Sequence, residues 1–156
     1  MFKYFNTMVV FEEVPNEISL AINISNCPCK CKGCHSPFLW KDIGTNLTLK
    51  ELERLIVKND GITCVCLMGG DCDHNYVCEL AEFIKVNHPD LKVCWYTGRD
   101  ELDCDTKNFD YIKIGHYNAE LGSLDKKTTN QRFYRISEGE MIDETEKFWI
   151  KNSLKN

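Results

Sequence analysis

The chain has 156 residues, 43% hydrophobic and 28% charged, the make-up of a folded globular protein and not of a disordered one. That length suits one core, so residues 1–156 are expected to form a single domain. A formal net charge of −5 weighs against a nucleic-acid-binding surface. No apolar stretch nears the roughly 20 residues that a bilayer span requires. Residues 1–7 (MFKYFNT) lack the apolar run of a signal peptide, so a cytoplasmic, reducing setting is expected. There the 10 cysteines are ligands, redox-active thiols or small buried side chains, and not a disulfide scaffold.

Residues 18–24 (ISLAINI) read as a strand, and a loop rich in Cys, Pro and Gly follows. Thr48 and Glu51 make a capping box, and Leu49, Leu52, Leu55 and Ile56 share one face of the helix it opens. Residues 62–68 (ITCVCLM) are apolar throughout, as in a strand buried on both faces, and Gly69-Gly70 end the run. A second helix carries Val77, Leu80, Ala81 and Ile84 on one stripe. Residues 91–96 (LKVCWY) and 111–114 (YIKI) are further strands, closed by Thr97-Gly98 and by Gly115. Residues 132–136 (RFYRI) are extended, and a short helix is expected over about 143–154.

Alternating strands and helices predict an α/β fold of βα units on a mostly parallel sheet. With four or five such strands, an eight-unit barrel cannot close, so the expectation is an open, partial β/α barrel. Sites in such sheets gather where strands end. That edge takes in the loop after Ile24 and the turns at Gly69, Thr97-Gly98 and Gly115-His116.

The first of these loops places Cys27, Cys29, Cys31 and Cys34 within eight residues. Such density points to ligation over core filling. The C-x3-C-x2-C spacing of Cys27, Cys31 and Cys34 lets one tight loop hold three corners of a 4Fe-4S cluster. A four-thiolate zinc site and free redox thiols are the alternatives. Crowding of Cys27, Cys29 and Cys31 and the lack of a second CxxC knuckle weigh against zinc. Three cysteines leave one iron without a protein thiolate, and an open iron binds substrate.

The same spacing resembles the radical S-adenosylmethionine (SAM) superfamily. That resemblance implies SAM as a second cofactor, chelated to the open iron by its amino and carboxylate groups. Met68-Gly69-Gly70-Asp71, ending the next predicted strand 35 residues after Cys34, resembles the superfamily's Gly-Gly-Glu segment. It implies that Gly69, Gly70 and Asp71 receive the methionine amino group. Gly33 departs from the aromatic residue common before the third cysteine, yet matches the Cys-x-Gly-Cys form of the activases of anaerobic ribonucleotide reductase. Trp40, Trp95-Tyr96-Thr97-Gly98, Gly122-Ser123-Leu124 and Thr129-Asn130-Gln131-Arg132 also resemble that family. The resemblance covers most of residues 18–136. It implies Gly33, Cys34 and His35 near the adenine, the large reductase subunit as protein partner, an external one-electron donor, and no nucleic acid or membrane. Activases of other glycyl-radical enzymes and a non-catalytic zinc or electron-transfer module are the competing readings.

Among the remaining residues, Cys64, Cys66 and Cys94 are expected as buried apolar side chains. Cys72 and Cys78 are taken as packed thiols near the site, and Cys104 has no distinguishing context. Cys29 is expected to face away from the cluster as a non-ligand. His116 is assigned a structural role over a ribose contact.

Overall fold

A computed structural model describes residues 1–155, with side chains through Ile150; Asn156, the last residue of the expected domain, lies outside the described residues. Eight strands form one open, mixed α/β sheet. They are β1 (Phe2–Val10), β2 (Ser19–Ile24), β3 (Thr45–Leu47), β4 (Cys64–Met68), β5 (Lys92–Tyr96), β6 (Tyr111–Ile114), β7 (Arg132–Ser137) and β8 (Glu140–Asp143). Their order across the sheet is β3-β1-β2-β4-β5-β6-β7-β8. Three helices accompany them: α1 (Leu49–Lys58), α2 (His74–Asn87) and α3 (Glu146–Lys155).

The expectation of a mostly parallel sheet is corrected. Of the seven neighbouring pairs, only the three linking β2, β4, β5 and β6 are parallel, and both flanks are antiparallel. A parallel neighbour needs a long crossover, which α1, α2 and the 97–110 loop supply, whereas β1–β2 and β7–β8 turn back through short links; β7 returns antiparallel to β6 through the longer 115–131 segment, so length alone does not set its direction. The first strand and the short β3 and β8 were not read from the sequence. β1 buries Phe2 and Tyr4 at its start and is exposed or half-buried from Phe5 on, where its pairing with β2 slips.

Thr48 caps α1, accepting a hydrogen bond from the Glu51 amide at 3.0 Å. Leu52, Leu55 and Ile56 of α1 and Val77, Leu80, Ala81 and Ile84 of α2 are buried against Leu20, Ile22, Val65, Leu67, Val93, Trp95 and Ile112 of the sheet. Each such large side chain contributes about 1.5–3 kcal/mol on burial. The opposite face holds a smaller core of Cys64, Cys66, Cys94 and Phe133, closed by Val14, Leu124 and Phe148 of α3. Because side chains alternate along a strand, this second face ends, at the C-terminal edge, in a row of Asn23, Met68, Tyr96 and Lys113.

Candidate iron–sulfur site

The cysteine loop leaves β2 at that edge. It is pinned at its base, where the Asn26 and Cys27 amides donate to the carbonyls of Lys41 and Leu39, both at 2.9 Å. Positive φ at Asn26, Lys30 and Gly33 curls the backbone so that several thiols come from a short segment. The Cys34 amide donates to the Cys31 carbonyl at 3.1 Å, and the Ser36 amide to Cys34 Sγ at 3.4 Å. All four thiols are half-buried and free.

Asp71 lies at the end of the neighbouring strand β4 and is only 4% exposed. The Gly69-Gly70 turn that delivers it requires glycine twice over. Both residues have positive φ, and a Cβ on Gly70 would stand 2.5 Å from Val77 Cγ2. The close approach made possible at Gly70 is to α2. The Asp71 carboxylate accepts from the Thr97 hydroxyl, from the Gly98 amide at 2.9 Å and from the Cys29 thiol at 3.6 Å, and pairs with His74 Nε2 at 3.1 Å. Those partners fill the roughly four acceptor positions of a carboxylate. His74 is held in turn by Asp103 at 2.5 Å and by the edge of Trp95.

Cys29 does not face away. Its sulfur turns inward, and among the described residues Cys27, Cys29 and Asp71 are the one trio whose ligand atoms all lie within 4.8 Å of one another. The neighbouring Cys29 thiol lowers Cys27 to about 6, while Cys27, burial and the Asp71 carboxylate push Cys29 well above the ordinary thiol range. Cys31 and Cys34 share the loop but stand outside this trio. His35 goes elsewhere, its exposed ring 5.2 Å from Tyr117, and Gly33 faces Tyr117 and Ala119.

Two cavities meet at Cys29 and His116. One of about 950 Å3 is lined by Asp71, His74, Arg99 and Cys104. The other, about 770 Å3, runs under Cys31 and Gly33 to Tyr117. Both are of the size that holds a small-molecule ligand. Cys72 is exposed at the rim of the larger one, where a packed thiol was expected, while Cys78 packs beside Cys104. His116 lines both cavities and is bonded to Asp100 at 2.8 Å. Asn130 and Gln131 clip the end of β6 by donating to the carbonyls of His116 and Gly115 at 3.1 and 3.2 Å.

Sequence reasoning placed Thr97 at this edge without its bond to Asp71, and missed His74, Arg99 and Lys113. Thr97, His74 and Arg99 all bond Asp71, Arg99 through the Asp71 carbonyl at 3.2 Å. Lys113 is 8% exposed, donates to the Gly115 carbonyl at 3.0 Å and lies 5.5 Å from the Tyr96 ring centre. Burial lowers its pKa, against the pull of Asp71. A lysine inside the apolar run YIKI was the available signal.

The donor set fits an iron–sulfur group: soft thiols, clustered on one loop, half-shielded from water and free of disulfides. Comparison with known proteins agrees. A family model described as a 4Fe-4S single cluster domain matches residues 18–142, which takes in the cysteine loop and all the strands from β2 to near the end of β8. No curated protein and no solved structure matches the chain. With four-fifths of its length under that family model, the chain belongs to the 4Fe-4S single cluster domain family.

Proposed function

We propose that this iron–sulfur protein is a radical SAM enzyme that installs a glycyl radical on the large subunit of anaerobic ribonucleotide reductase. One observation carries the reading. A C-x3-C-x2-C loop and a Gly-Gly-Asp turn, far apart in sequence, meet at the ends of adjacent parallel strands, with Cys27 and Asp71 within ligand distance. The partial-barrel architecture, the single domain over residues 1–156 and the cytoplasmic setting belong to the same proposal.

In it, Cys27, Cys31 and Cys34 hold the cluster, and SAM occupies the adjoining cavities. A cluster held there would supply the single electron that cleaves the sulfonium–C5′ bond of SAM to methionine and a 5′-deoxyadenosyl radical. Asp71, presented by Gly69 and Gly70, accepts hydrogen bonds from the SAM amino group, and the backbone of Gly33, Cys34 and His35 lies against adenine. A glycine Cα of the reductase then gives up a hydrogen atom, leaving 5′-deoxyadenosine and a glycyl radical. The electron comes from an external one-electron donor.

The test is anaerobic reconstitution with iron and sulfide, then dithionite and SAM. Methionine and 5′-deoxyadenosine are expected in equal amounts, and adding the reductase is expected to give a glycyl-radical signal by electron paramagnetic resonance. A formed cluster that never cleaves SAM would falsify the reading. Cleavage without a signal on this reductase, but with one on another glycyl-radical enzyme, changes the partner alone. The Cys27-Cys29-Asp71 trio favours a second reading, a single-ion site such as zinc, which predicts stoichiometric zinc and no cluster.

A further inference from the structure

The Cys29 thiol belongs to no C-x3-C-x2-C position, yet it points at the centre of the site. We infer that Cys29 is a displaceable fourth ligand of the cluster, capping in the resting protein the iron that Cys27, Cys31 and Cys34 leave open. The capping itself rests on the family assignment and on this geometry; its displacement by SAM rests also on the function proposed above.

Three observations support it. Cys29 shares a ligand-distance trio with Cys27, so a metal centre built on Cys27 has the Cys29 sulfur beside it. The third member, Asp71, is already occupied by Thr97, Gly98 and His74, and a thiolate is the softer donor, so Cys29 and not Asp71 is the ligand. The side chain is also braced from behind. A Cβ built on Gly98 would stand 2.8 Å from Cys29 Sγ and 3.3 Å from its Cβ, so glycine there makes room for the inward rotamer. Gly98 is outside the left-handed region, so its φ does not explain the choice of glycine.

The same contact couples the cap to substrate. In the cluster-free chain the Cys29 thiol donates to an acceptor position of Asp71, and as an iron-bound thiolate it has no proton to donate, so capping opens that position to a SAM amino group. Exchange balances without redox chemistry: the Cys29 thiolate leaves the iron and takes the proton that the SAM ammonium sheds on becoming a coordinated amine. That amine donates to the acceptor position of Asp71 that capping had opened. The cluster is thereby shielded from oxidants until substrate arrives.

The experiment uses the full chain, anaerobically loaded, as wild type, Cys29→Ala and Gly98→Ala, matched for iron and sulfide. Each is treated with ferricyanide and examined by electron paramagnetic resonance, since an iron without a thiolate is lost on oxidation and leaves a 3Fe-4S signal. Wild type is expected to keep its cluster intact, and Cys29→Ala to convert most of its clusters. Gly98→Ala is expected to convert like Cys29→Ala although every thiol is retained, and it decides the matter if Cys29→Ala loads no cluster. Equal conversion in wild type and Gly98→Ala overturns the inference. A second arm treats the loaded wild type with iodoacetamide and reads Cys29 by mass spectrometry. Cys29 is expected to be protected until SAM is added without reductant. Protection that SAM does not relieve retains the cap and sinks the exchange, whereas absent SAM cleavage with an intact cap sinks the function alone.

Discussion

Two groups of cysteines divide the molecule, and their contrast is instructive. Four sit in the loop at the end of β2, half-buried, with Cys27 lowered to about 6. Three sit on β4 and β5, where Cys64, Cys66 and Cys94 are 0% exposed and form part of the smaller core. Burial pushes the Cys64 and Cys94 thiols far up, so they stay protonated and behave as small apolar side chains. The same residue type is a ligand donor in one place and packing material in the other. Backbone decides which. A curled loop at a strand end lets sulfurs converge, whereas a strand pins them in register, as Cys66 beside Cys94, under other side chains.

The sharpest way to break that division is by substitution. Cys27→Ala, Cys31→Ala or Cys34→Ala should each abolish cluster loading, read by iron and sulfide content and visible absorption. Cys64→Ala or Cys94→Ala should load normally. The reverse pattern holds for stability. Phe133, 1% exposed and stacked on Tyr111 with ring centres 5.7 Å apart, anchors the sulfur-lined core. Phe133→Ala should cost about 3–5 kcal/mol in denaturant unfolding, while chains folded at low temperature still load cluster. Cys94→Ser puts a hydroxyl where a thiol is fully buried and should cost about 1–3 kcal/mol, again with loading intact. Loss of loading in folded Cys94→Ser would erase the distinction.

Alkylation of the cluster-free protein separates the groups without mutation. Thiolate is the reacting form. Cys27, lowered to about 6, should react fully at neutral pH and slow as pH falls through that value. Cys64 and Cys94, raised by burial and closed off from solvent, should react only after unfolding. Peptide mapping by mass spectrometry checks both.

Much of this was legible in the chain. ITCVCLM and LKVCWY announced buried strands because they are apolar throughout, and Thr48 with Glu51 announced α1 because capping is local chemistry. The meeting of Cys27 with Asp71 was legible from their places at the ends of neighbouring strands. The antiparallel flanks were not, since β1 is half exposed, β3 and β8 are short, and pairing direction is set by contacts remote in sequence. The inward turn of Cys29 was hidden for a related reason. It depends on Asp71 and on the room left by Gly98, residues that lie 42 positions or more away in the chain. His74 escaped because nothing local marks a histidine as facing a site, whereas Lys113 was marked only by its place inside the apolar run YIKI.

The most direct test of the division is Mössbauer spectroscopy of the iron-loaded chain with Cys64, Cys66 and Cys94 all replaced by valine or alanine. The account predicts one 4Fe-4S cluster per chain, with a spectrum unchanged from wild type. A spectrum that loses the cluster in a folded variant, or that shows a second iron site in wild type removed by those replacements, would contradict it.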